Sequence, residues 1–121
     1  MKSMLVVAHG SRRAESNDEV RELARLLGSQ VDASFESVSC AFLELAEPSI
    51  PDGLRAAIAG GASEVVVMPY FLSAGRHVVT DIPGEVDIVR AEYPGITITL
   101  APYLGAAPEL ASLILRHVQS G

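Results

Sequence analysis

Few side chains in this sequence can do chemistry beyond surface ion pairing. There are three histidines, one cysteine and no tryptophan. His9 stands in the run His9-Gly10-Ser11-Arg12-Arg13, and His77 ends the run Ser73-Ala74-Gly75-Arg76-His77. Each run follows an apolar stretch, and so does Glu44. Two neutral imidazoles and a carboxylate make a hard-to-borderline donor set. It suits Co²⁺, Ni²⁺, Fe²⁺ or Zn²⁺ with coordination positions left open. The same groups can accept protons near neutral pH. Each also has a plainer reading, because a lone histidine at a strand end is most often a hydrogen-bonded loop residue. Only their joint placement favours chemistry, and that placement depends on the elements between them.

Those elements alternate. Met4 to Ala8 is a continuous apolar run, as in a strand buried on both faces of a parallel sheet. Val20, Leu23, Ala24 and Leu27 then recur at helical spacing; Ser16 with Glu19 reads as a capping box and Gly28 as a stop. A second strand is expected from about Ser34 to Phe42. A second helix follows, with Ile50, Leu54, Ala57 and Ile58 on one stripe, Pro48 and Pro51 near its first turn, and Gly60-Gly61 at its end. Glu64 to Met68 is a third strand. The helical region from Val78 to Glu92 should break at Pro83-Gly84, with Val86 and Val89 inward. Ile96 to Leu100 is a fourth strand. Leu110, Leu113, Ile114 and Val118 mark a last helix, with Pro108 at its start. The order βαβαβαβα implies an α/β fold: a four-stranded, mainly parallel sheet with helices on both faces and right-handed crossovers.

Ligands of open parallel sheets bind beyond the carboxyl ends of the strands. His9, Glu44 and His77 all fall on that edge, after strands one, two and three. Ser11, Arg12, Arg13, Tyr70, Gly75, Arg76 and Tyr103 fall there too. Arg12 and Arg76 could clamp carboxylates or phosphate. Arg76 is the stronger candidate, because Gly75 lets backbone approach a ligand. Tyr70 and Tyr103 would wall a pocket or simply pack. Glu47 is read as a cap for the second helix, and His117 as a helix-terminal cation favoured by the dipole. Cys40 is expected to be buried and inert in mid-strand.

Composition bounds the reading. A chain of 121 residues, 49% apolar and 20% charged, is expected to form one domain over residues 1–121. With 15 acidic and 9 basic residues the net charge is -6, which argues against nucleic acid and anionic membranes as partners. A single cysteine permits neither an internal disulfide nor a cysteine-rich metal site. No targeting or membrane-spanning pattern stands out, so a cytoplasmic location is expected. A small core makes a partner surface worth seeking.

Three segments together resemble a known family. They are His9-Gly10-Ser11-Arg12, Phe42-Leu43-Glu44-Leu45-Ala46-Glu47-Pro48-Ser49, and Pro69-Tyr70-Phe71-Leu72 leading into Gly75-Arg76-His77-Val78 and Asp81-Ile82-Pro83. In order and type they are similar to the CbiX/SirB-type sirohydrochlorin chelatases, over nearly the whole chain. The resemblance implies a chelatase-like fold and insertion of Co²⁺, or of Fe²⁺ or Ni²⁺, into sirohydrochlorin for cobalamin or sirohaem, with no organic cofactor. It implies His9 and His77 as metal-binding histidines and Glu44 as the carboxylate at the site. Ser11, Arg12, Tyr70, Gly75 and Arg76 would meet the octacarboxylate macrocycle. A short single-domain member would act as a homodimer.

Other readings of the same residues stay open. A non-enzymatic carrier of metal or tetrapyrrole would use the same ligands. A phosphoryl-transfer enzyme could use His9 as nucleophile, although Ala8 stands where histidine phosphatases carry arginine. A hydrolase using Ser11 is more remote, since the strand–turn–helix elbow pattern is missing.

Overall fold

The computed structural model describes residues 1–120. The four strands are β1 (Lys2–Ala8), β2 (Ser37–Phe42), β3 (Glu64–Pro69) and β4 (Thr97–Leu100). They form one parallel sheet in the order β2-β1-β3-β4. The helices are α1 (Ala14–Gln30), α2 (Ile50–Ala59), α3 (Ile82–Glu92) and α4 (Leu110–Ser120). The α/β alternation expected from the sequence is therefore present.

Side-chain alternation divides the sheet into two faces. Leu5 and Val7 of β1, Ala41 of β2, Val65 and Val67 of β3 and Ile98 of β4 are buried against Ile50 and Leu54 of α2 and Ile82, Val86 and Val89 of α3. The inward placing of Val86 and Val89 is as their spacing implied. The other face carries Met4, Val6 and Ala8 of β1 and Val38, Cys40 and Phe42 of β2; α1 lies there, against β2. Burial of apolar groups on both faces of β1 accounts for its unbroken apolar run.

Several boundaries differ from expectation. The capping box at Ser16 does not form. α1 starts at Ala14 after Arg13, with no side-chain cap, because the preceding turn is fixed by Asn17. The Asn17 side chain accepts from the Ser11 amide at 2.9 Å and donates to the Ser11 carbonyl at 2.8 Å. Gly28 does not stop α1, which runs on to Gln30; an exposed glycine inside a helix costs only about 1 kcal/mol. Residues 34–36 are not strand, since Asp32 accepts from the Ser34 amide and Phe35 bonds back to the Asp32 carbonyl, making a turn. The fourth strand begins at Thr97, one residue later than expected.

Glu47 does not cap α2. The Ser49 hydroxyl does so, accepting from the Asp52 amide at 3.2 Å. Pro48 lies before that cap and Pro51 within the first turn. The break in the third helical region falls just ahead of Pro83. Residues His77–Asp81 form a single π-helical turn, closed by the Ile82 amide on the His77 carbonyl. Pro83, in the first turn of α3, has no N–H to continue an α-helical ladder backwards. Cys40 is half-buried, and burial pushes its thiol pKa up, which disfavours the reactive thiolate. His117 lies in the last turn of α4, where the dipole argument put it.

Candidate active site at the sheet switch point

In the order β2-β1-β3-β4 the chain leaves β1 first to one side and later to the other. The crevice of such a sheet opens between the carboxyl ends of β1 and β3. His9 directly follows β1, and His77 begins the π turn after β3, so the two imidazoles straddle that point. Their ring centroids are 4.7 Å apart with the planes at 63°.

Glu44 is delivered by backbone. The ladder between β1 and β2 continues past the strand ends, with the Leu43 amide on the Ala8 carbonyl at 2.9 Å and the Glu44 amide on the His9 carbonyl at 3.0 Å. The chain then turns away through Leu45 at φ 67°. Gly10 passes so close beneath this loop that a Cβ there would lie 1.7 Å from the Glu44 carbonyl oxygen, and its φ is +94°. Only glycine meets both conditions. Arg21 braces the same loop from α1. Its guanidinium lies 5.1 Å from the Phe42 ring centroid and donates to the Glu47 carbonyl at 3.1 Å.

The hydrogen bonds define which ring nitrogens are free. His9 Nδ1 is 2.9 Å from the Gly10 carbonyl, which can only accept, so Nδ1 carries the proton. Nε2 then faces Glu44 Oε2 at 3.3 Å. In the neutral imidazole these are two lone pairs, and a proton or a cation between them resolves the conflict. His77 Nδ1 donates to Asp81 Oδ2 at 2.8 Å, leaving His77 Nε2 unprotonated in the neutral ring. A hollow of about 560 Å³ opens beside this set, lined by Glu44, His77, Asp81, Glu85 and Ile88 among others. Its three carboxylates make it a place for a cation. Among the described residues no three of the histidine, cysteine, aspartate and glutamate side chains close around one point as in a structural metal cage. The arrangement is open.

The other sequence candidates are distributed around this centre. Arg12 and Arg76 are exposed, and among the described residues neither forms an ion pair. The Ser11 hydroxyl accepts from the Arg13 amide at 3.0 Å, so it shapes the turn. Tyr70 is exposed beyond β3, its amide bonded to the Val7 carbonyl. Gly75 stands in open space, and a side chain there would meet nothing, so packing within the chain does not demand glycine. Tyr103 lies elsewhere, in an apolar hollow with Met68 and Leu104. Sequence reading passed over four residues that build the site: Asn17, Arg21, Asp81 and Glu85. Asp81 had a signal in its spacing of four from His77. Arg21 had none, because its target is the Glu47 backbone carbonyl 26 residues on, and Asn17 had none, because it binds the backbone amide and carbonyl of Ser11 across a turn with no pattern of its own.

The fold and site define an α/β protein with an imidazole–carboxylate centre at the switch point of a parallel sheet. The chain belongs to the CbiX family, whose model matches residues 3–120. It is 36% identical over 116 residues to the chloroplastic sirohydrochlorin ferrochelatase of Arabidopsis thaliana, covering 96% of this chain and 51% of that protein. A crystal structure of a CbiX protein from Marinobacter aquaeolei VT8 superposes with a TM-score of 0.84 at 32% identity, covering 99% of this chain and 96% of that one. The sirohydrochlorin chelatase SirB from Bacillus subtilis subspecies spizizenii, in complex with cobalt, gives 0.87 at 28% identity, covering 98% of this chain and 50% of that one. The chain spans about half the length of the Arabidopsis relative and of that cobalt-bound structure. Among the described residues no helix is long and apolar enough to cross a membrane.

Proposed function

We propose that this chain inserts a divalent metal, Co²⁺ or Fe²⁺, into sirohydrochlorin or a close tetrapyrrole relative. The observation that carries the reading is the pairing at the switch point: His9 and His77 ring to ring, with Glu44 on the first and Asp81 on the second. The names of the relatives support the same chemistry, one a ferrochelatase and one a chelatase in complex with cobalt. Ni²⁺ belongs in the same metal series as a third arm of the assay.

The donor spacing fits a shared ion. Nitrogen and oxygen donors at about 2.0–2.2 Å from one metal, set at a tetrahedral angle, stand roughly 3.3–3.5 Å apart. His9 Nε2 and Glu44 Oε2 are 3.3 Å apart. A metal ion entering the acidic hollow would be received between these two lone pairs. Insertion must then remove two pyrrole protons as the metal bonds to the ring nitrogens. His9 Nε2, His77 Nε2 and Glu44 are the acceptors within reach, and an imidazole is protonated and released near neutral pH. A few ligands in an open set also let the ion go, which a transfer site requires.

The macrocycle is flat and apolar at its centre and carboxylate-rich at its edge. Leu45, Leu72 and Val79 on the loops and the π turn, and Ile88 on α3, are exposed apolar residues around the site. Arg12 and Arg76 are the free cations on the same edge. Their guanidinium groups would take peripheral carboxylates, with Ser11, Tyr70 and Gly75 beside them, while the acidic hollow takes the metal. Two copies of the chain would supply the two walls of a cleft.

The test is the visible absorption of sirohydrochlorin with Co²⁺, Fe²⁺ or Ni²⁺ and catalytic amounts of protein. Multiple turnovers are expected, with loss of the rate in a folded His77→Ala variant. A stoichiometric change without turnover would assign a carrier. A burst with an aryl phosphate would assign phosphoryl transfer on His9.

A further inference from the structure

His9 and Glu44 stand on separate loops, so their 3.3 Å approach depends on how each loop is held. One face of α1 holds both. Asn17 and Arg21 are four residues apart on that helix and so lie one above the other.

Asn17 reaches the His9 loop. It is only 6% exposed, and its amide spans both polar groups of Ser11. Oδ1 accepts from the Ser11 amide at 2.9 Å and Nδ2 donates to the Ser11 carbonyl at 2.8 Å. The Ser11 amide belongs to the same planar peptide unit as the Gly10 carbonyl. That carbonyl accepts from His9 Nδ1 at 2.9 Å. One rigid peptide therefore links the Asn17 side chain to the imidazole. By accepting from its N–H, Asn17 polarises the unit and strengthens the bond that keeps the His9 proton on Nδ1. Nε2 is left with the lone pair that faces Glu44.

Arg21 reaches the Glu44 loop. Its guanidinium has three holds: Asp18 Oδ1 at 2.8 Å, the buried Phe42 ring at 5.1 Å, and the Glu47 carbonyl at 3.1 Å. The base of the loop is closed by the Phe42 amide on the Pro48 carbonyl at 2.8 Å. Across residues 45–47, among the described residues, the bond from Arg21 is the one side-chain hydrogen bond that the loop receives.

We propose that Asn17 and Arg21 are positioning residues for the metal-transfer pair. Asn17 sets the tautomer and tilt of His9, Arg21 sets the place of Glu44, and α1 thereby fixes the separation of the two donor atoms. The proposal rests on the metal-insertion reading for its purpose but not for its test. Functional groups must be held to within about 0.5 Å, and outer partners of metal ligands alter affinity about 10–100-fold when removed.

The test uses the full chain. In mildly alkaline buffer, where histidine is neutral, nitrogen NMR should place the His9 proton on Nδ1 in the wild type and in Arg21→Met. Asn17→Leu should give a mixture of tautomers. Asn17→Asp, which keeps the acceptor toward Ser11, should retain much of the Nδ1–H form. Amide exchange at Glu44 should rise at least tenfold in Arg21→Met, while Val6 and Val7 keep their protection. Co²⁺ alone, followed by calorimetry, should bind Arg21→Met about 10–100-fold more weakly than the wild type, with part of the loss recovered in Arg21→Lys. In a Glu44→Gln background the Arg21 substitution should cost nothing further, because the two act as one unit. A wild-type His9 protonated on Nε2, a folded Asn17→Leu with an unchanged tautomer, unaltered Glu44 exchange in Arg21→Met, or an equal loss of Co²⁺ affinity with and without Glu44 would each overturn the positioning. The imidazole and exchange measurements need no metal, so they decide it even where metal insertion fails.

Discussion

His77 Nδ1 lies 2.8 Å from Asp81 Oδ2, four residues on, across one π-helical turn. The wide turn stacks the two side chains, and the carboxylate fixes the proton on Nδ1, leaving Nε2 as the free donor atom. Wide turns of this type occur often at functional sites. A histidine ligand held by a carboxylate on its second nitrogen is both oriented and made more basic. Asp81→Asn should therefore lower metal affinity or insertion rate about 10–100-fold without loss of fold. Nitrogen NMR of the imidazole should show the Nδ1–H tautomer of His77 losing its dominance, and Asp81→Glu should restore part of the rate. An unchanged tautomer with a reduced rate would count against positioning as the cause.

Gly10 is the backbone crossing that lets His9 and Glu44 meet. Gly10→Ala brings a Cβ to within 1.7 Å of a carbonyl oxygen at φ +94°. The strain alone costs about 1–3 kcal/mol, and the clash forces the Glu44 loop outward. Chemical denaturation should show that loss, and insertion should fall further than stability does. An alanine variant of wild-type stability would mean the loop yields freely.

Arg12 and Arg76, which form no ion pair among the described residues, should act on substrate capture. Arg12→Glu and Arg76→Glu are expected to raise KM for the octacarboxylate with little change in kcat. The effect should shrink between 0.01 M and 0.15 M salt, where screening lengths fall from about 30 Å to about 8 Å. A fall in kcat at constant KM would place these residues in the chemical step instead.

Away from the site, Arg55 of α2 grips Glu92 of α3 with two hydrogen bonds of 2.9 and 2.7 Å. The Arg55 hydrogen bonds hold the Glu92 carboxyl below its usual value. A carboxyl with a lowered pKa in the folded state adds stability above its unfolded value of about 4.3. That stability is lost as pH falls through the lower, folded value. Both side chains are well exposed, so solvent screening keeps the effect small. Glu92→Gln should leave neutral-pH stability nearly unchanged and flatten the acid limb of a melting-temperature profile below pH 4.3. An acid limb identical to wild type would show the pair to be immaterial.

The sequence by itself determined the α/β alternation, the strands, and the fact that His9, Glu44 and His77 follow strands at one edge. Those features are local: apolar runs, helical periodicity and glycine or proline punctuation act within a few residues. It also carried the family motifs that tie the chain to the CbiX proteins. The helix boundaries were read less well, because Asn17, Ser49 and Pro83 set them through particular hydrogen bonds or the lack of one, and those compete with generic cap signals. Only the tertiary structure decided the strand order β2-β1-β3-β4, and with it that His9 and His77 flank a switch point and not merely an edge. It alone showed Arg21 holding the Glu47 backbone far away in sequence, Asn17 closing the turn at Ser11, and α4 standing off an uncovered sheet face. Strand order is set by which buried faces fit together over the whole sheet, and a short strand such as β4 carries too little pattern to declare its neighbour.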